Sequence, residues 1–101
     1  MSGSALSPDG RHIAYVAFSD GPVGYGVVRT WPGKRLLLRT RSVEVPATDN
    51  PGGNQVRWPS ADTVEIYVEA GCCTDVTWYR VRASLAPPRI LSADTVRTLP
   101  P

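Results

Sequence analysis

Ser7, Asp9 and His12 place a hydroxyl, a carboxylate and an imidazole within one short segment, Ser7-Pro8-Asp9-Gly10-Arg11-His12. Those three types can do nucleophilic catalysis when the imidazole reaches the hydroxyl and the acid orients the imidazole. Here Pro8 and Gly10 make the segment a tight turn, with Pro at the second position and Gly at the fourth. A turn does not give the three groups that geometry. His12 is the single histidine, and no pair of carboxylates stands at a spacing that supports acid–base work. The run Gly21-Pro22-Val23-Gly24-Tyr25-Gly26 lacks the helix that a phosphate-cradling loop needs after it. Cys72 and Cys73 are adjacent and close no loop. At the end of a strand one thiol faces inward as a small apolar group and the other outward. No further ligands lie nearby to make a metal centre of them. The expectation is a chain that is not an enzyme and uses neither cofactor nor metal.

A second group of residues carries recognition rather than reaction. Ten of the eleven basic residues are arginine, the exception being Lys34, and Arg is the cation that tolerates interfaces. A GC-rich coding sequence produces the same bias. Arg35, Arg39 and Arg41 beside Trp31 have the types that track phosphates and stack bases. The net charge of +2 is small for a nucleic-acid binder, so that reading ranks second. Tyr67, Trp78 and Arg80 fall on the outward side of a hairpin, and aromatics and Arg are what interface cores favour. The candidate binding residues are therefore Tyr67, Trp78, Arg80, Trp31, Arg39 and Arg41, in a self-associating scaffold or protein-binding module. The alternatives are nucleic-acid binding, or a non-catalytic small-molecule pocket in a barrel mouth. Tyr67 and Trp78 could equally pack beneath a second layer of the same chain.

The elements that position these residues are strands. β-branched and aromatic residues lie in short runs punctuated by nine Gly and ten Pro, and helix signals are scarce. His12–Phe18 reads as a strand apolar on both faces, hence central. Tyr25–Trp31 is the next strand, ended by Pro32. Leu36–Val45 is the longest candidate, and its pattern switches partway as at a bulge. Residues 46–54 form a mobile loop without apolar anchors, and residues 97–101 a frayed end. From Thr63 to Ala83 the alternation predicts a hairpin with Ala70 opposite Asp75. That register sets Val64 against Val81, Glu65 against Arg80 and Tyr67 against Trp78. Arg89–Leu91 is a short strand after Pro87-Pro88. At 101 residues this is one domain, all-β, a small antiparallel barrel or sandwich. No apolar run is long enough to cross a membrane. Met1–Ser4 carries no basic-then-apolar leader, so cytoplasm is the default expectation.

One module occurs twice. Leu6-Ser7-Pro8-Asp9-Gly10-Arg11-His12-Ile13-Ala14-Tyr15 has a degenerate copy at Trp58-Pro59-Ser60-Ala61-Asp62-Thr63-Val64-Glu65-Ile66-Tyr67, in which Asp9 maps to Asp62 and Ile13 to Ile66. Ser92–Val96 repeats Ser60–Val64 letter for letter at a spacing of 32 rather than 53, either by coincidence or as a truncated third unit. The first copy resembles the WD40-like repeat of TolB-type propellers, which reads Trp-Ser-Pro-Asp-Gly and then Ile-Ala-Tyr or Phe. That resemblance covers, with the second copy, about a quarter of the chain. It implies a turn followed by an inner strand of a four-stranded blade, with Asp9 and Asp62 forming turns. It brings protein binding rather than catalytic residues. A closed propeller needs about four to eight such blades, which leaves three outcomes: chains that assemble into a ring, a piece of a larger propeller, or, the expectation here, the same turn–strand device on a smaller β fold.

Overall fold

The structure is a computed structural model describing residues 3–19, 23–44, 54–72 and 75–100, with side chains omitted at 71, 72, 75 and 76. Its described residues contain nine strands and no helix. Strands β1 (Ser4–Leu6), β2 (His12–Ser19), β3 (Val23–Thr30) and β4 (Leu36–Arg39) form one antiparallel sheet in chain order. β5 (Val43–Glu44) also pairs with β3. Strands β6 (Gln55–Ser60), β7 (Thr63–Cys72), β8 (Asp75–Leu85) and β9 (Pro88–Val96) form the second sheet, again in chain order. The sheets pack face to face, β1 and β2 over β6, and β2 and β3 over β7. This is the sandwich of the two expected architectures; neither sheet closes into a barrel.

The core lies between the sheets. Ala14 and Val28 of the first sheet meet Val56, Val64, Ile66, Val68, Val81 and Ala83 of the second, all fully or almost fully buried. Each buried Val or Ile is worth roughly 1.5–3 kcal/mol over its exposed state. Trp58 ties the layers together: its Nε1 donates to the Ala5 carbonyl at 3.1 Å, and its ring stacks on His12.

The Ser7–Gly10 turn forms as its residues dictate. The Gly10 amide donates to the Ser7 carbonyl at 2.9 Å, and Gly10 takes φ +72°, where a side chain is strained. Ser7 is buried; its hydroxyl donates to Asp9 Oδ1 at 2.5 Å and accepts the His12 amide at 3.1 Å. Asp9 Oδ1 also accepts the Arg11 amide at 3.1 Å. Ser7→Ala removes the acceptor for a part-buried amide and should cost about 1–2 kcal/mol, read as a lower urea midpoint at unchanged m-value.

Several expectations need correction. Leu36–Val45 is not one strand: Thr40 interrupts it, its hydroxyl accepting the Gly26 amide at 2.8 Å while its own amide donates to the Gly26 carbonyl at 2.9 Å. The β7–β8 register is two residues off the expected one. Ala70 faces Thr77, and the ladder runs on to Cys72 opposite Asp75, leaving a shorter connection. A shift of two keeps every side chain on its face but changes its partner: Glu65 meets Arg82, Tyr67 meets Arg80, and Val64 meets Ala83. Arg89–Leu91 is part of a nine-residue strand, β9. Ser92–Val96 lies wholly within β9, whereas Ser60–Val64 spans the end of β6, a turn and the start of β7. The identical pentapeptide is therefore no third unit. The expected loop at 46–54 falls outside the described residues except for Asn54.

The 53-residue offset that maps Ile13 of β2 onto Ile66 of β7 does not carry over to the faces. Ile66 points into the core, and Ile13 lies on the outer face of its sheet with Arg29 opposite. The face that the second sheet covers with the first is the face that the first sheet leaves open.

Candidate functional site

The Ser7–Asp9–His12 trio is a turn and not a catalytic array. The Ser7 proton is committed to Asp9, and the His12 ring lies against Trp58, with centroids 6.3 Å apart and planes 22° from parallel. The Asp9 carboxyl is held below its usual range, first by the Ser7 hydroxyl and then by the Arg11 amide. Among the described residues no group of His, Cys, Asp and Glu is placed to hold a metal ion. The side chain of Cys72 and all of Cys73 fall outside the described residues.

The outer face of the second sheet is a lattice of paired charges. Glu65, on β7, is almost fully buried between Arg57 of β6 and Arg82 of β8. Arg82 Nε and Nη2 donate to Glu65 Oε2 at 3.0 and 2.6 Å. Arg57 Nε lies 3.1 Å from Glu65 Oε1, at ion-pair distance but out of line for a hydrogen bond. One register step along, Arg80 makes a two-point pair with Asp94 of β9. That pair holds the Asp94 carboxyl below, and the Arg80 guanidinium above, their usual ranges. A carboxyl lowered by folding stabilises above its unfolded value near pH 4, and loses that contribution as pH falls through its folded value. Thermal melts should therefore fall off less steeply in acid for Asp94→Asn than for the parent.

The six sequence candidates do not converge. Tyr67 is on the outer face as expected but is 2% exposed, flanked by Gln55 and Arg80 across the ladder. It is not part of a surface patch. Trp78 faces Glu69 and Val96 rather than Tyr67. Arg80 is spoken for by Asp94. Arg39 stacks on Tyr25, its guanidinium 3.8 Å from the ring centre, and Arg41 lies 5.1 Å from that of Tyr79. Tyr25 is on the first sheet's outer face, whereas Tyr79 belongs to the core between the sheets, so these arginines form no single strip. Trp31 lines a shallow recess on the first sheet with Ile13, Tyr15, Arg29 and Lys34. There Arg29 Nε donates to the Tyr15 hydroxyl at 2.9 Å, and the Lys34 ammonium sits 5.7 Å from the Trp31 ring.

No protein-family model matches this chain, and neither a curated protein nor a solved structure matches it. Its surfaces therefore carry the functional argument alone, and the one that stands out is strand β9. Every residue from Pro88 to Thr95 is exposed, including Ile90 at 45% and Leu91 at 46%. Among the described residues β9 ends its sheet, hydrogen-bonded to β8 on one side and to no strand on the other, with β4 of the first sheet approaching it. Sequence reading missed it because Pro87-Pro88 looks like a terminator. The signal that was present is the length of chain from Arg89 to Val96 without Gly or Pro.

Proposed function

We propose that the chain is a self-associating binding module, a small scaffold that pairs with a second copy of itself through strand β9. The carrying observation is the free edge: a long, exposed strand with two half-exposed aliphatic residues offers a row of unpaired amides and carbonyls to another strand. Natural edges that stay single are short, bulged, Pro-bearing or charged; β9 has Pro88, Arg89, Asp94 and a bulge at Leu91, but it runs nine residues and carries no lysine. The two four-stranded meanders support, as part of the same reading, units of the kind that the Ser7–Tyr15 segment resembles. In this reading the arrays of paired charge on the second sheet are structural.

Sedimentation velocity over a concentration series tests the proposal. The parent should show a reversible monomer–dimer equilibrium. Leu91→Lys, which sets a charge on the edge without touching the core, should shift it at least about tenfold toward monomer. A parent that stays monomeric at its highest soluble concentration would overturn the reading.

A further inference from the structure

The association reading leaves open how two edges meet, and β9 itself restricts the answer. It carries a bulge. Arg82 faces Ser92 and Ala83 faces Ile90, so Leu91 is the extra residue. The bulge shifts the alternation of faces by one. Beyond Leu91, Ser92 and Asp94 share the outer face with Arg82 and Arg80, while Ala93 and Thr95 share the inner face with Val81 and Tyr79. Before Leu91 the order reverses: Arg89 is on the outer face with Ser84, and Ile90 and Pro88 are on the inner face with Ala83 and Leu85.

Two copies of such a strand match in one antiparallel register. With the twofold axis between Leu91 and Ser92, Arg89 faces Asp94 of the partner subunit, Ile90 faces Ala93 of the partner subunit, and Pro88 faces Thr95 of the partner subunit. From Pro88 to Thr95 outer meets outer and inner meets inner, apart from the bulge residue Leu91 against Ser92 at the axis, and Val96 falls opposite Pro87 just outside the strand. Sliding by one residue sets Ile90 against Asp94 of the partner subunit, on the opposite face. Sliding by two toward the C-terminus sets Ser92 against Ala93 of the partner subunit, again on opposite faces. Sliding by two the other way pushes Asp94 and Thr95 off the strand, against the Ala86-Pro87 turn.

Charge favours the same register. Glu65 shows what this sheet does with an outer-face acid: a guanidinium from each flanking strand, Arg57 and Arg82, brackets it. Asp94 has only one side filled, by Arg80, and its other side is the open edge. Arg89 meets no carboxylate among the described residues. In the twofold register Arg89 of the partner subunit arrives on the open side of Asp94, and the bracket is completed twice.

We infer that the partner of β9 is β9 of a second copy, in antiparallel register about Leu91 and Ser92, so that the two four-stranded sheets become one of eight. This rests on the self-association proposed above, and the test separates the two. Arg89→Asp and Asp94→Arg are made as separate variants. Each homodimer would set like charges opposite and should weaken at least about tenfold. Mixed together they should recover a heterodimer, because both of its cross-strand pairs are then opposite in sign. As a measurement independent of Asp94, Ile90→Cys with Ala93→Cys, in a Cys72→Ser, Cys73→Ser background, should form intermolecular disulfides on oxidation. A dimer indifferent to the charge variants, with no recovery on mixing and no cross-link, would overturn the register and leave self-association standing. A monomeric parent would overturn both.

Discussion

Gly26→Ala is expected to lower stability by about 1–3 kcal/mol, at the upper end of that range for a single methyl group. Gly26 lies on β3 opposite Val16, on the face turned toward the second sheet. A Cβ there would stand 2.9 Å from both Cδ1 and Cγ2 of Ile66 and 3.0 Å from Cγ2 of Thr40. Ile66 is fully buried and Thr40 nearly so, and neither has room to retreat. Thr40 is held besides by its reciprocal hydrogen bonds with Gly26. The methyl can be accommodated only by displacing Ile66 and Thr40, or by separating the sheets at this point. For a domain of this size the loss amounts to about 10 °C in Tm. The clash gives a distinctive check: Ile66→Val removes Cδ1 and should cost less in the Gly26→Ala background than alone. A double-mutant cycle with no coupling would show that the sheets do not meet there. Gly10→Ala is the contrast, since nothing lies within 4 Å of its Cβ and the penalty comes from the positive φ alone.

The strands were readable because burial on one or both faces writes itself into period-two patterns. β2 is apolar on both faces in the sequence and sits between β1 and β3 in the sheet. The Ser7–Gly10 turn follows from Pro, Asp and Gly at fixed places. Register was less readable. Two registers of β7 and β8 that differ by two residues keep the same faces and pair acid with arginine equally well, Glu65 with Arg80 or with Arg82. What separates them is the length of the connection, and Gly71-Cys72-Cys73-Thr74 does not announce it. The break at Thr40 was hidden for a different reason: it depends on a hydroxyl meeting the backbone of Gly26, fourteen residues away. Ser92–Val96 and Ser60–Val64 show the limit most directly. The same five residues turn in one place and extend in the other: Asp62 sits where β6 folds back into β7, whereas Asp94 lies inside β9, paired with Arg80. The candidate site was the least legible part. Tyr67 and Trp78 have the composition of an interface, but an aromatic on an outer face is covered when long arginines lie along it, as Arg80 does. The free edge of β9 is a property of sheet order, which no local pattern encodes.

Glu65 carries the other large expected effect, and the comparison of two substitutions isolates its cause. Glu65 is 2% exposed on the outer face of its sheet, with Arg57 and Arg82 holding its carboxylate from either side. Both arginines are about half exposed, at 48% and 46%, so removing the acid does not strand them; they turn to water. The cost of Glu65→Ala is thus the lost charge-assisted bonds and packing, about 2–3 kcal/mol, below the 3–5 kcal/mol typical where the remaining charge stays buried. Glu65→Gln keeps the shape but presents an amide N–H₂ to one of the two guanidinium groups, which have no acceptor to offer it. It should therefore recover little of the loss. Arg82→Ala inverts the situation, because it leaves a buried carboxylate with the poorly aligned Arg57 as its remaining cation. Arg82→Ala should accordingly destabilise more than Arg57→Ala by at least about 1 kcal/mol in urea titrations. Equal effects would mean that Oε2, with its two donors, is no better held than Oε1. Two effects that were both near zero would instead show that the bracket contributes nothing, and Asp94 would lose its precedent for a second arginine.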